Sequence, residues 1–280
     1  MNNPEKFKAS ELPELTAEQK KSPFAYFYKR DIGELTPEIA EAFKPGRTID
    51  PKKAVMPENM WEYLLPGGPE PEMGYCMLPN GAGYSCVIAD VPGMTKEMFD
   101  FRTRLVFADH MGFMIEFPGK HLEHYDGLCV EDFGVGYMHA FILDRNYSSY
   151  ELGYPEHPTH VNPEIVEFVV KEADEIPIEG PIDPDKGKNM LTFVTRKTDA
   201  GLRCWAFVYS GMHLVNGKST VVKKADETID IEVARQRGIH LAYEYIGRSE
   251  LCDELYSEYG QDVLAPAKPW PERYVPFRHS

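Results

Sequence analysis

A histidine and a glutamate four residues apart, His240 and Glu244, are the clearest candidates for a functional site. Residues four apart on a helix place their Cβ atoms about 5–6 Å from each other, so an imidazole and a carboxylate can bind one metal ion. An ordinary contact on a helix surface would have the same spacing. The pair therefore indicates half of a metal site, and the other ligands must come from elsewhere in the chain.

A polar segment in the middle of the chain offers further ligands. It reads PGKHLEHYDG, and its coordinating side chains are His121, Glu123, His124 and Asp126. We predict that it is a loop after a strand over residues 112–117. A third group, farther along, contains Glu151, Glu156 and His157. A catalytic zinc usually takes three nitrogen or oxygen ligands from the protein and keeps one position open, so these groups together could complete a site.

The pair at 240 and 244 should lie on one long amphipathic helix over residues 224–259. Apolar residues recur there at roughly helical spacing, for example at Ile239, Tyr243 and Ile246. Such a stripe is typical of a helix that packs one face against a sheet. His240 and Glu244 lie beside the stripe, so we expect both side chains to point inward.

The preceding chain predicts the sheet. Strand patterns occur at residues 84–91, 112–117, 137–143, 164–173, 189–198 and 202–215, and a helix capped by Thr95 is predicted over residues 95–109. Asp199, Ala200 and Gly201 form a hairpin turn in which Gly201 can adopt positive φ. Strands joined by short turns pair antiparallel, and a sheet with one apolar face needs a cover. We therefore predict an α+β helix-grip fold, a curved antiparallel sheet around a long C-terminal helix with room for a ligand between them.

One domain over residues 1–280 is the expected organisation. Residues 1–80 are rich in proline and form an irregular N-terminal wrapping arm, with a short helix over residues 37–43 capped by Thr36. Residues 81–264 form the helix-grip core. Residues 265–280 form a C-terminal strap that returns to the surface.

Composition excludes some classes of partner. The 30 basic and 45 acidic residues give a formal charge of −15, which repels phosphate backbones and anionic membranes. We therefore expect no nucleic-acid partner. We expect no membrane partner for the same reason, and because no run reaches the ~18 apolar residues of a membrane span. The five cysteines lack CxxC spacing, and the polar N-terminus does not resemble a signal peptide. A cytoplasmic protein with reduced thiols is therefore expected.

Several runs of residues resemble one enzyme family. They are GMTKEMFDF, FPGKHLEHYDG, ELGY and HLAYEYIGRSELCDELY, together with the opening FAYFYKRDIGELTPEIAEAFKPG. These runs resemble the 2,4-diacetylphloroglucinol hydrolase and phloretin hydrolase family. The resemblance implies a Bet v 1-like helix-grip fold and a Zn²⁺-dependent enzyme that hydrolyses the carbon–carbon bond between an acyl group and an aromatic or cyclic ring. It also implies a metal held by two histidines and two glutamates, and a homodimer is plausible.

The resemblance assigns site residues one by one. It places metal ligands at His121, His240 and Glu244, and a fourth at Glu151, with Glu156 as the alternative. It also places a polar residue that contacts the substrate at His124.

Two positions depart from the family pattern. The family has a tyrosine where this chain has Phe113 and a histidine where it has Phe193. Both phenylalanines are expected to bind substrate, and they make the pocket more apolar. Because unpaired substrate hydroxyls are costly to bury, the preferred substrate should change.

The expected reaction is hydrolysis of an aromatic or cyclic ketone. The metal would polarise the acyl oxygen and activate water, and the departing ring carbon would need a proton. His124, Tyr209 and His213 are the candidate donors, and the sequence favours a structural role over a catalytic one for His213. Two alternatives remain, a non-catalytic protein that binds an apolar aromatic or steroid-like ligand, and a metal-dependent lyase or isomerase.

Overall fold

An antiparallel sheet crossed by one long helix dominates the molecule. The computed structural model describes residues 12–125, 128–131, 134–141, 162–174, 189–215, 218–221 and 229–260. Within them, eight strands form one sheet in the order β1-β2-β8-β7-β6-β5-β4-β3, and β9 and β10 form a separate hairpin. Their bounds are β1 Gly74–Met77, β2 Gly83–Pro92, β3 His121–Tyr125, β4 Leu128–Glu131, β5 Gly134–Phe141, β6 Ile165–Asp174, β7 Asn189–Thr198, β8 Gly201–Ser210, β9 Met212–Val215 and β10 Lys218–Val221.

Helices with clear N-caps complete the α+β fold. They are α1 Pro37–Ala42, α2 Lys96–Ala108, α3 His110–Met114 and α4 Ile231–Tyr259. The predicted caps at Thr36 and Thr95 are confirmed, since each side chain accepts a hydrogen bond from a backbone N–H three residues later. Asp230 caps α4 by accepting from Glu232 N at 2.9 Å. The side chains of Thr36, Thr95 and Asp230 therefore satisfy N–H groups that have no partner within their helices.

The inner face of the sheet packs against α4, which contacts β1, β2 and β8. Alternate residues of β8 such as Leu202, Cys204 and Ala206 join Ile239 and Tyr243 of α4 in one buried cluster. The predicted turn at 199–201 joins β7 to β8 in a tight hairpin, where Thr198 pairs with Gly201 and Gly201 has φ +151°. The long helix is thus the cover that one apolar face of the sheet requires.

The N-terminal segment covers two other surfaces. Val55, Met60 and Leu64 pack on the outer sheet face, and Phe24 and Phe27 pack on α2, α3 and the end of α4. The same segment forms short 3-10 helices at Gln19–Lys21, Pro23–Tyr28, Pro51–Lys53 and Pro57–Leu64. Proline at the first positions suits such turns, because its missing N–H has no helical partner there.

Three parts of the structure differ from the sequence predictions. Residues 112–117 do not form a strand, because Asp109 caps the short helix α3 by accepting from Met111 N at 2.7 Å. Within the segment predicted as a ligand-bearing loop, residues 121–125 instead form strand β3. Residues 202–215 form two strands, β8 and β9, which meet at Gly211 with φ +76°.

The arm is also shorter than predicted, because residues 74–77 form the edge strand β1 and belong to the sheet. The N-terminal part of the predicted long helix, residues 224–228, lies outside the described residues, and α4 begins after Asp230. The predicted strap at 265–280 also lies outside them. Among the described residues, no helix is long and apolar enough to cross a membrane.

Candidate metal centre

Two of the predicted ligands lie on the face of α4 that turns towards the protein interior. His240 is 7% exposed and Glu244 is 9% exposed. The ring of His240 packs against the ring of Phe117, with centroids 4.7 Å apart. The four-residue spacing therefore places both side chains in the interior, as the sequence predicted.

The third ligand arrives from the start of β3. After α3 the chain turns at Gly119, with φ +78°, and the N–H of His121 donates to the carbonyl of Phe117 at 2.9 Å. This turn places the His121 side chain, which is 1% exposed, beneath α4. The ligand atoms of His121, His240 and Glu244 all lie within 4.8 Å of one another. Side chains about 120 residues apart in sequence thus meet in the fold.

The orientation of His121 is fixed from two sides. Its Nδ1–H donates to the carbonyl of Phe113 at 3.0 Å, and its ring stacks on the Phe113 ring at 4.0 Å with an interplanar angle of 4°. A carbonyl only accepts, so in the neutral imidazole the lone pair is on Nε2. That atom is buried without a hydrogen-bond partner among the described residues and lies 3.8 Å from Oε2 of Glu244.

These donors fit a divalent cation. Bonds of about 2.0–2.2 Å in tetrahedral geometry place donor atoms roughly 3.3–3.6 Å apart, close to the 3.8 Å between His121 Nε2 and Glu244 Oε2. Two imidazoles and a carboxylate form a donor set that zinc accepts, and a carbonyl behind one imidazole is the usual orienting partner. The buried Nε2 of His121 would gain the partner that it lacks.

A buried ion-pair network, which sequence reasoning missed, lies directly behind Glu244. Oε1 of Glu244 accepts from Nη2 of Arg248 and lies 3.8 Å from Nη2 of Arg102. Arg102 also donates through Nη2 to Oε2 of Glu116 at 2.7 Å, and Nε of Arg248 lies 3.6 Å from Oε1 of Glu116. Two guanidinium groups thus share two carboxylates.

The charges in this network compensate the cost of burial. Burial alone would raise the pKa of Glu116, but the charges of Arg102 and Arg248 outweigh it and hold that pKa below its usual range. Burial would lower the pKa of Arg248, but Glu116 and Glu244 raise it above its ordinary value. One sequence signal was available, since Arg248 follows Glu244 by four residues on the face that carries His240.

A third carboxyl faces the same interior. Glu167 of β6 accepts from the hydroxyl of Thr195 at 3.4 Å, and burial raises its pKa to about 7 although Arg102 and Arg248 oppose the shift. It was not among the predicted site residues. A bulge in β6 between Ile165 and Glu167 alters the pairing register with β7, so simple alternation along the strand does not predict which way Glu167 points.

One predicted catalytic residue needs correction. Tyr209 belongs to the cluster on the outer face of the sheet, and its hydroxyl donates to the carbonyl of Val55 at 2.7 Å. Neighbouring Val208 faces α4 instead. Because successive side chains of a strand alternate between faces, the sheet separates Tyr209 from the histidines and glutamate beneath α4. This placement does not support a role as proton donor there.

The other predicted site residues divide into two groups. Phe193 is half-buried and packs against the cluster between sheet and helix, on the side of the candidate centre, and Phe113 contacts His121 directly. His124 lies on β3 and His213 on β9, but their side chains are not described. Glu151 and its alternative Glu156 lie outside the described residues.

A comparison with protein families bears on this geometry. Residues 56–129 match the family described as DAPG hydrolase PhiG domain. The match supports membership of the DAPG hydrolase family. The resemblance found in the sequence is thereby confirmed for this part of the chain, which is about a quarter of its length. A search of curated proteins found no match.

The DAPG hydrolase match covers one half of the candidate centre. It spans β1, β2, α2, α3 and β3, and therefore includes His121, Arg102 and Glu116. His240 and Glu244 lie beyond it. The two halves meet only in the folded chain, where the matched segment supplies one imidazole and α4 supplies the other ligands.

Proposed function

We propose that this protein is a zinc-dependent hydrolase that cleaves the carbon–carbon bond between an acyl group and an aromatic or cyclic enolisable ring. The DAPG hydrolase match supports a hydrolase that acts on acylphloroglucinol-like compounds. The metal dependence rests on one observation, that His121, His240 and Glu244 are buried with their ligand atoms within 4.8 Å of one another. A Bet v 1-like helix-grip belongs to the same proposal, supported by the antiparallel sheet that packs on α4.

The side chains of this chain would position the reactants. Phe113 fixes the tautomer and plane of His121, so that its Nε2 lone pair is directed at the centre. The three ligands are at most 9% exposed, which excludes bulk water and strengthens electrostatic interactions there. A bound zinc ion would supply Lewis-acid polarisation of the acyl carbonyl and a lowered pKa for attacking water.

The reaction balances with water as the only co-reactant. The water oxygen joins the acyl carbon, the bond from acyl carbon to ring carbon breaks, and the ring carbon takes a proton, which gives a carboxylic acid and the deacylated ring. Carbon leaves poorly, so a positioned acid is needed. We propose His124, and His213 as the alternative, for this proton, and Glu151, or alternatively Glu156, as the fourth metal ligand.

The apolar side chains of Phe113 and Phe193 should influence which substrate binds. Phe193 packs towards the interior and Phe113 stacks on His121, and neither side chain can hydrogen-bond a substrate hydroxyl. A site with these groups should therefore favour substrates with fewer ring hydroxyls than a polyphenol.

The metal content of the purified protein tests the proposal. We expect about one zinc per chain by elemental analysis, and loss of most of it in His240→Ala and Glu244→Ala. His110→Ala, which removes a histidine outside the candidate centre, is the control and should keep its metal. A panel of acylated phenols and cyclic diketones should then release acid and deacylated ring in equal amounts, and a chelator should stop the release.

Two outcomes would contradict the proposal. A protein without metal whose thermal stability is unchanged in chelator would leave only a ligand-binding role. A metal-loaded protein that rearranges its substrates without acid release would instead be a lyase or isomerase.

A further inference from the structure

We propose that Arg248 is a positioning residue that restricts Glu244 to binding metal through one oxygen, Oε2. This inference rests on the proposed metal-dependent function and adds a residue to it. Its basis is the division of the Glu244 carboxylate, in which Oε1 accepts from Arg248 and Oε2 faces His121 Nε2 at 3.8 Å.

The two oxygens of Glu244 differ in their surroundings. Oε1 has the guanidinium of Arg248 within hydrogen-bond distance and that of Arg102 at 3.8 Å. A charge-assisted hydrogen bond between buried groups is strong, so Oε1 is committed to the cations. Oε2 is therefore the oxygen available to bind a metal in the candidate centre. A carboxylate held in this way binds as a monodentate ligand, which keeps the coordination number low and a position open for substrate or water.

Glu116 holds the cations in place. It accepts from Arg102 through both carboxylate oxygens, and Nε of Arg248 lies 3.6 Å from its Oε1. Arg248 also lies over the ring of Tyr245, 4.8 Å from the centroid, and is 4% exposed. A planar fork confined on several sides has little freedom, so it can fix the carboxylate that it contacts. The network joins α2, the α3–β3 connection and α4 at one point.

The test compares metal binding by three variants of the full-length protein. Arg248→Gln removes the cation and its forked hydrogen bonds. Arg248→Lys keeps the charge but offers a point charge in place of the fork. The matched control is Arg235→Gln on the same helix. Arg235 is also buried and paired with a glutamate, Glu232 at 2.8 Å, but it contacts the carbonyl of Phe43 rather than the candidate centre.

Two readouts separate positioning from mere stability. One is the dissociation constant for Zn²⁺ measured against a competing chelator, and the other is the visible absorption of the Co²⁺-substituted protein, which weakens as coordination number rises. We expect Arg248→Gln to raise the dissociation constant roughly 10- to 100-fold and to weaken the cobalt bands, as Glu244 becomes free to bind through both oxygens. Arg248→Lys should lie between Arg248→Gln and wild type, and Arg235→Gln should match wild type in both readouts.

The possible contrary results distinguish a failure of this inference from a failure of the proposed function. If wild type binds metal and Arg248→Gln keeps its affinity and cobalt spectrum, this inference is wrong and the proposed function stands. Equal losses in Arg235→Gln would also overturn it, since the effect would then be general to the helix. If Arg248→Gln does not fold, Arg248→Lys decides, and a wild-type constant and spectrum in that variant reject the inference. A wild type without metal affinity would refute the proposed function as well.

Discussion

At the scale of single residues, the ring of Phe113 controls the geometry of His121. The sequence suggested a substrate contact at this position, whereas the structure shows a stacked ring at 4.0 Å and a carbonyl that accepts from Nδ1. Replacing the Phe113 ring by an aliphatic side chain would leave the backbone carbonyl but remove the flat surface that confines the His121 imidazole. The position therefore bears on the geometry of the candidate metal centre.

Phe113→Leu is expected to weaken metal binding about 3- to 10-fold, because the His121 ring gains freedom that must be lost on binding. Titration with a competing chelator measures this. Phe207→Leu is the matched control, since Phe207 is equally buried but lies in the cluster on the outer face of the sheet. It should lose stability but keep its metal affinity, and the opposite ranking of the two variants would contradict the role of Phe113.

The carboxyl of Glu167 should make stability depend on pH. Its folded-state pKa of about 7 lies above the ordinary value of 4.5, so the folded protein holds this proton more tightly than the unfolded chain. The stability associated with the proton is fully present below pH ~4.5, declines between ~4.5 and ~7, and is lost above ~7. Above that range the chain must bury a charged carboxylate.

Glu167→Gln should therefore be more stable than wild type at pH 8, by up to roughly 3 kcal/mol, and by less than about 1 kcal/mol at pH 5. Denaturant unfolding at both pH values gives the difference. Glu164→Gln, at an exposed position nearby on the chain, serves as control and should show little change at either pH. A gain for Glu167→Gln that is the same at both pH values would show that its pKa is not raised.

At the scale of elements, the close approach of α4 to the α3–β3 connection determines whether the ligands can meet. Gly247 allows this contact, because a Cβ there would lie 2.5 Å from the carbonyl oxygen of Glu116. If α4 or the backbone at Glu116 moved to relieve this clash, the ligands on the two elements would move apart. The glycine therefore costs helix propensity but brings the two halves of the centre together.

Gly247→Ala should destabilise the protein by about 1–3 kcal/mol, since the clash with a backbone atom exceeds the gain of about 1 kcal/mol in helix propensity. Denaturant unfolding measures the change. Ser249→Ala, a half-buried position on the same helix, raises propensity without that contact and should be neutral or slightly stabilising. A stabilised Gly247→Ala protein would mean that the two elements are not so closely packed.

At the scale of the whole molecule, the N-terminal segment fastens these elements together. Nη2 of Arg30 donates to the carbonyl of Ile115 at 3.0 Å and to that of Gly247 at 2.9 Å. Its guanidinium thus links the segment before β1 to both α3 and α4. Burial lowers the pKa of Arg30, while Glu250 and Glu116 oppose that shift. The arm is part of the support of the candidate centre.

Arg30→Met should cost roughly 2–4 kcal/mol, because the buried carbonyls lose a charged donor. It should also speed proteolytic cleavage within the first 70 residues, which a time course on gels would show. Arg47→Met removes an exposed arginine paired with Glu41 and should change stability by less than about 1 kcal/mol. Equal behaviour of the two variants would mean that Arg30 does not fasten the arm.

Several features follow from local patterns of residues and could be predicted from the sequence. The caps at Thr36 and Thr95, the hairpin at Gly201 and the strands around it follow from turn chemistry and from periods of two or 3.6 residues. His240 and Glu244 were found in the same way, since their spacing on a helix is local. His121 was assigned by its resemblance to family members, and the meeting of all three is visible in the fold.

Other features depend on contacts between distant parts of the chain and are visible only after folding. Short apolar runs suit a strand or a helix equally, so the cap at Asp109 made residues 112–114 helical within the run at 112–117 where a strand was expected. The face of the sheet that carries Tyr209 depends on register across neighbouring strands, which separated it from the centre. The pairing of Arg102 with Glu116 and Glu244 joins three elements, and side-chain charge alone does not reveal which partners burial will force together.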